Sequence, residues 1–219
     1  MRRLIELNHV IEDGMVTYKG LPAPIICDFL SRPDSRANYE AGTEFQIGSI
    51  TMCSNTGTYL DTPFHRFPDG DDLAAMPLDK VSALPGCVVR IAASQIAVDV
   101  DDFAAVDVPG HAVLVHTGWD RHWRTDTYFE GHPYLTASAA ELLRDAGAAL
   151  VGIDSHNIDD TAVNLRPVHS ILLGAGIPIV EHMTGLAKLP DTDFVFHAAP
   201  PRVKGMGTFP VRAHAIIDG

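Results

Sequence analysis

Asp61 and His65 stand four residues apart in the run Ser54-Asn55-Thr56-Gly57-Thr58-Tyr59-Leu60-Asp61-Thr62-Pro63-Phe64-His65. If a helical turn or a tight loop lies between them, both side chains face one side. A carboxylate beside an imidazole can then share a proton or a cation. A surface loop in which Asp61 caps the turn before Pro63 is the plainer reading of the same residues. A second polar group, Asp154-Ser155-His156-Asn157-Ile158-Asp159-Asp160, follows the apolar residues 149–153. Ligands of open α/β sheets gather at such strand ends, although turn-forming Asp and Asn account for the composition equally well. The third group is His169 with Glu181, twelve residues on. Glu181 ends the apolar run Ile177-Pro178-Ile179-Val180, and a carboxylate in that position needs a partner. An ion pair with His or Arg would satisfy it, and so would a metal.

The elements that must position these residues are read from periodicity and punctuation. Residues 43–53 alternate roughly and read as a strand, Pro85-Gly86 as a turn, 87–91 and 111–116 as strands. Residues 136–146 read as a helix, with Ala139, Leu142, Leu143 and Ala146 on one face and either Thr136 or Ser138 as its cap. A buried-type strand at 149–153, a Pro-started helix at 167–173 and a strand at 177–181 follow, then strands at 194–198 and 210–217. A helix leaving one strand's carboxyl edge begins there, and the next parallel strand returns to that edge. Asp154, His169 and Glu181 are thus expected on the same edge. Adjacent His182 would point away from Glu181. Trp119 and Trp123 could line a pocket, and the other histidines read as structural or solvated. Residues 12–42 are poorly periodic, and a connection of that length is functional or mobile. The class is α/β, with a mixed, strand-rich sheet.

Composition narrows the function classes. The chain has 219 residues, Lys+Arg 16 against Asp+Glu 28, and a formal charge of −12. The 46% hydrophobic and 20% charged content is that of a globular protein. The acidic balance speaks against nucleic acid or an anionic membrane surface as partner. Three widely spaced cysteines form no C-x-x-C pair, and free thiols fit a reducing compartment. No apolar run is long enough to span a bilayer and no signal-peptide core is evident, so the expected location is the cytoplasm.

The motifs together resemble the cyclase family of metal-dependent hydrolases, which includes the bacterial kynurenine formamidases and isatin hydrolases. The family hallmark H-x-G-T-H-x-D-x-P-x-H is similar to the run from Asn55 to His65, with Asn55 and Tyr59 in place of the two histidines. His116-Thr117-Gly118-Trp119, Val151-Gly152-Ile153-Asp154, and His169-Ser170-Ile171-Leu172-Leu173-Gly174 through Glu181 resemble further family segments in the same order. The resemblance spans nearly the whole chain and implies one swivelling β/β/α domain over residues 1–219, in a homodimer or a larger assembly such as a homotetramer. It implies metal ligation by Asp61, His169 and Glu181, and acid–base catalysis by His65. With the two histidines replaced, one divalent ion, Zn²⁺ or Mn²⁺, is the expected complement. Asn55, Tyr59 and Trp119 become candidate contacts for a small-molecule substrate. The implied reaction is hydrolysis of a small amide, formamide or lactam. A metal-free cyclase, dehydratase or lactonase using the same pocket, and a binding protein without turnover, are the alternatives.

Overall fold

In the computed structural model, which describes residues 1–218, the chain opens with β1 (Arg3–Glu6), β2 (Ile25–Leu30), a short helix α1 (Arg32–Ser35) and β3 (Ile47–Thr51). Next come β4 (Tyr59–Asp61), β5 (Leu84–Arg90), β6 (Ala97–Val98), β7 (Ala112–His116) and β8 (Tyr134–Leu135). Helix α2 (Ala137–Asp145), β9 (Leu150–Ile153), α3 (Pro167–Gly174) and β10 (Ile179–Glu181) follow, then β11 (Phe194–His197), β12 (Thr208–Pro210) and β13 (His214–Ile217). Nine strands form one mixed sheet in the order β1-β13-β11-β5-β7-β9-β10-β4-β12. Its centre, β5-β7-β9-β10, is parallel, and both flanks are antiparallel. Among the described residues, no helix is long and apolar enough to cross a membrane.

The two-residue period of the strands sorts side chains into two cores. Val113 and Val115 of β7, Val151 and Ile153 of β9 and Ile179 of β10 pack with α2 and α3 through Leu143, Val168 and Leu172. Leu114, Leu150 and Val180 go to the other face, with Leu60, Phe194 and Phe196. Gly152 is the point of close contact in β9, since an added Cβ would lie 2.6 Å from Met183 Sδ. The cap of α2 is Thr136, whose side chain accepts from Ala139 N–H.

Three sequence expectations change. Pro85-Gly86 is not a turn but part of β5. Gly86 is there because the Phe194 ring lies against it, 2.0 Å from where a Cβ would stand. Residues 210–217 are split between β12 and β13, which occupy opposite flanks of the sheet. Tyr59–Asp61, expected in a loop, is a fully buried strand between β10 and β12.

Candidate active site

Strand register builds the site. β10 pairs antiparallel with β4 so that Glu181 faces Tyr59 and Ile179 faces Asp61. β12 pairs with β4 so that Thr208 also faces Asp61. Val180 and Leu60 turn to the core on the far face, so Glu181, Tyr59 and Asp61 share the helix-covered face. There α3 brings His169, in its first turn, over them. The imidazole Nε2 lies 3.8 Å from Asp61 Oδ2 and 3.7 Å from Glu181 Oε1. All three residues are buried.

Each group is held by identifiable partners. Glu181 accepts from Tyr59 O–H at 2.6 Å and from Ile158 N–H at 2.7 Å. His169 Nδ1 is 2.6 Å from Asp159 Oδ2, and the two Asp159 oxygens also accept the N–H groups of Val168 and His169. Thr208 O–H donates to Asp61 Oδ1. Its oxygen lies 2.9 Å from His65 Nδ1. A hydroxyl has one proton, already given to Asp61, so His65 Nδ1 must be the donor in that contact. The neutral His65 ring therefore keeps its lone pair on Nε2. His65 itself sits in a short turn after Pro63. Gly207 makes that position possible: a Cβ there would stand 2.2 Å from His65 N, a backbone atom.

Electrostatics agree with a cation site. Burial alone pushes the His169 pKa down, but the Glu181 charge, the hydrogen bond to Asp159 and the nearby Asp61 carboxylate outweigh it and raise it to about 10. Burial raises the Glu181 carboxyl against the pull of His169. Burial, then the Glu181 charge, keeps the Tyr59 phenol protonated far above its ordinary range. Three acidic side chains thus crowd one imidazole. Asp61 Oδ2 is buried with no hydrogen-bond partner. Unpaired buried carboxylate oxygens are costly, and a divalent ion would satisfy this one. The spacing suits donors sharing an ion at roughly 2.0–2.2 Å. Asp61, His65 and His169 also offer ligand atoms within 4.8 Å of one another. The residues fit a divalent metal.

A cavity of about 450 Å³ opens onto this floor, lined by Asn55, Tyr59, His65, His169 and Glu181 among others. Six of the seven residues singled out from sequence therefore come together, Asp61 lying just behind the lining. Trp119 does not join them: its indole N–H donates to the Tyr128 carbonyl at 3.0 Å, outside the lining. Asp154 is not in the site either. It accepts from Thr117 N–H, Thr117 O–H and Gly118 N–H, tying the β7 exit to the β9 exit. Sequence reasoning missed Asp159 as the anchor of His169, Thr208 as the link between Asp61 and His65, and Tyr18. The Tyr18 hydroxyl lies 3.1 Å from that of Tyr59 and receives Asn157 Nδ2–H at 2.9 Å. His182, at φ 53°, turns away from Glu181 into a buried nest with Tyr128, His156 and Trp123.

Known proteins share this frame. The kynurenine formamidase of Geobacillus thermodenitrificans is 30% identical over 182 residues, 82% of this chain and 84% of that protein. That of Bacillus cereus is 27% identical over 211 residues, 95% of each. Among solved structures, isatin hydrolase A from Labrenzia aggregata superposes with a TM-score of 0.83 at 19% identity, covering 100% of this chain and 94% of that one. A potential metal-dependent hydrolase with cyclase activity gives 0.81 at 23%, covering all of both. These two establish a common fold. The family model described as a putative cyclase matches residues 5–160. That match covers the strand carrying Asp61 and the turn carrying His65, and it establishes that the chain belongs to the cyclase family.

Proposed function

We propose that this chain hydrolyses the C–N bond of a small amide, formamide or lactam, with one divalent ion per chain. The class, a hydrolase of carbon–nitrogen bonds other than peptide bonds, is that of its kynurenine formamidase relatives. The observation that carries the reading is the meeting of Asp61, His169 and Glu181 beside His65 at the floor of one cavity.

Asp61, His169 and Glu181 would hold the ion, Zn²⁺ or Mn²⁺. Bound there, it supplies polarisation of the substrate carbonyl and acidification of water. The lone pairs left by the hydrogen bonds support one ion rather than two. Thr208 occupies Asp61 Oδ1, Tyr59 O–H and Ile158 N–H take one lone pair each of Glu181 Oε2 and Oε1, and among these oxygens only Asp61 Oδ2 is left without a partner. His65 Nε2 accepts the proton of the attacking water and passes it to the leaving nitrogen as the C–N bond breaks. Water contributes O–H to the acyl carbon and H to nitrogen, giving an acid and an amine. Asn55 and Tyr59 form cavity wall. Because the Tyr59 proton is committed to Glu181, the phenol is poorly placed to serve as the proton donor of a metal-free cyclase or dehydratase.

The test uses protein loaded with Mn²⁺ or Zn²⁺ and formanilide as substrate. Hydrolysis should vanish on chelation and return with the ion. His65→Ala should lower kcat by about a hundredfold or more while metal content and melting temperature stay at wild-type values. Turnover that survives both chelation and His65→Ala removes the reading.

A further inference from the structure

The Tyr59 hydroxyl is one link in a longer chain of hydrogen bonds. It donates to Glu181 Oε2 at 2.6 Å, and the Tyr18 hydroxyl lies 3.1 Å behind it. Tyr18 accepts Asn157 Nδ2–H at 2.9 Å. Asn157 Oδ1 accepts the main-chain N–H of Asp159 at 2.9 Å, and the Asp159 side chain holds His169 Nδ1. Two expected metal ligands, Glu181 and His169, are thus joined by a circuit through four other residues. The 3.7 Å approach of His169 Nε2 to Glu181 Oε1 closes it. Every member is buried except Tyr18, which is half-buried and lines the cavity. Tyr18 is also the member that comes from the segment between β1 and β2. Its neighbours hold it from both sides: Thr17 Oγ1 accepts Gly57 N–H at 2.8 Å, and Lys19 pairs with Asp126 at 3.3 Å.

The direction of the circuit follows from its protons. A main-chain N–H can only donate, so Asn157 turns its carbonyl to Asp159 and its NH₂ to Tyr18. Each phenol has one proton. The short contact commits that of Tyr59 to Glu181, so across the two hydroxyls Tyr18 is the donor. The Tyr18 proton has a competing acceptor, the His156 carbonyl at 3.0 Å. Turned to Tyr59, it strengthens the bond from Tyr59 to Glu181, because hydrogen bonds in series polarise one another. Ile158 N–H holds the other Glu181 oxygen at 2.7 Å, so the carboxylate is pinned at both ends. We propose that Tyr59 and Tyr18 are positioning residues for the ion: Tyr59 fixes the angle at which Glu181 meets it, and Tyr18, acting through Tyr59, makes the cavity-lining N-terminal segment part of the metal site. This rests on the single-ion reading above and adds the device that sets the ion's affinity.

The test needs no substrate. Zn²⁺ affinity is measured against a competing chelator on wild type, Tyr59→Phe, Tyr18→Phe and the double variant, all of which keep the rings. Tyr59→Phe should weaken binding by roughly ten- to a hundredfold, the range for a lost partner of a metal ligand. Tyr18→Phe should weaken it by about three- to tenfold, the range of one neutral hydrogen bond. Because Tyr18 acts through Tyr59, the double variant should bind no more weakly than Tyr59→Phe, whereas independent effects would multiply. The visible ligand-field bands of the Co²⁺-loaded protein should shift in both single variants as Glu181 changes its angle. Wild-type affinity in Tyr18→Phe, or losses that multiply in the double variant, overturns the circuit while metal binding and amide hydrolysis stand. If Tyr59→Phe does not fold, Tyr18→Phe decides: weakened Zn²⁺ binding with shifted Co²⁺ bands supports the circuit, and either one unchanged refutes it. A wild-type chain that takes up neither ion removes the metal reading, and the circuit's role with it.

Discussion

At the scale of single residues, the site depends on which atoms carry protons. His169 must present Nε2 to Asp61 and Glu181, and Asp159 enforces this by holding Nδ1 at 2.6 Å. Asp159 also accepts both main-chain N–H groups of the first α3 turn, so one carboxylate fixes the ring, its tautomer and the helix start. An asparagine there would keep one acceptor and set an NH₂ against an N–H donor. Asp159→Asn should therefore weaken metal binding by roughly ten- to a hundredfold, read by competition with a chromogenic chelator. A chelator curve that overlays wild type would show that Asp159 has no hold on the metal site. Thr208 plays the corresponding part for His65, its single proton choosing Asp61 and thereby fixing the lone pair on His65 Nε2.

At the scale of elements, the site is a product of register. Glu181 opposite Tyr59, and Thr208 and Ile179 both opposite Asp61, place three strands' functional groups on one face. The turn that carries His65 is pressed against the strand that follows Gly207. Gly207→Ala would put a methyl group 2.2 Å from His65 N, against backbone that cannot rotate away. The expected result is a loss of most activity with metal content less affected, measured as kcat beside metal stoichiometry. Retention of wild-type kcat would mean that the turn tolerates displacement. This level was only partly legible in the sequence. The α3–β10 pairing of His169 with Glu181 followed from strand direction and helix phase, which are local. The placement of Asp61 did not, because three residues give no periodicity and β4 is defined by neighbours more than a hundred residues away. Gly86 reads as a turn beside Pro85, and only the Phe194 ring explains why a glycine sits within a strand. Asp159 lay in a polar strand exit and Tyr18 in a stretch without periodicity; each segment signals function, but the particular contacts of these two residues are tertiary.

At the scale of the whole molecule, buried charge states set the response to pH, and an exposed ribbon sets the expected assembly. Burial drives His156 to about 3 and His9 to about 4, and His182 well down too, against about 6.5 in an unfolded chain. A depressed histidine stabilises the fold above pH 6.5 and loses that contribution as pH falls. Asp154, raised by burial to about 6, acts oppositely: its stabilisation is complete below about 3.8 and lost as pH rises through 6. Between pH 6 and 4 these three histidines outnumber Asp154 and the likewise raised Glu181, so stability should fall with falling pH, by about 1.4 kcal/mol per pH unit for each histidine in excess. Urea midpoints at pH 7 and 5 measure this, and His156→Gln should lessen the drop; a flat wild-type profile would contradict it. The ribbon β2–β3 stands apart from the main sheet, with Ile25, Ile26, Phe29, Ile47 and Ile50 exposed. Two strands alone are marginal in water, and an apolar patch of this kind on an acidic chain calls for cover. The ribbon continues directly from Tyr18, Lys19 and Leu21 of the cavity wall, so a second copy of the chain packed on it would also brace the substrate pocket. Light scattering after size exclusion should give twice the 23.6 kDa of one chain or more. Ile26→Glu with Ile50→Glu, a directly opposed pair, should yield monomers of unchanged circular dichroism and a raised KM. A wild-type monomer at micromolar concentration would leave the ribbon without a role in assembly and the pocket complete within one chain.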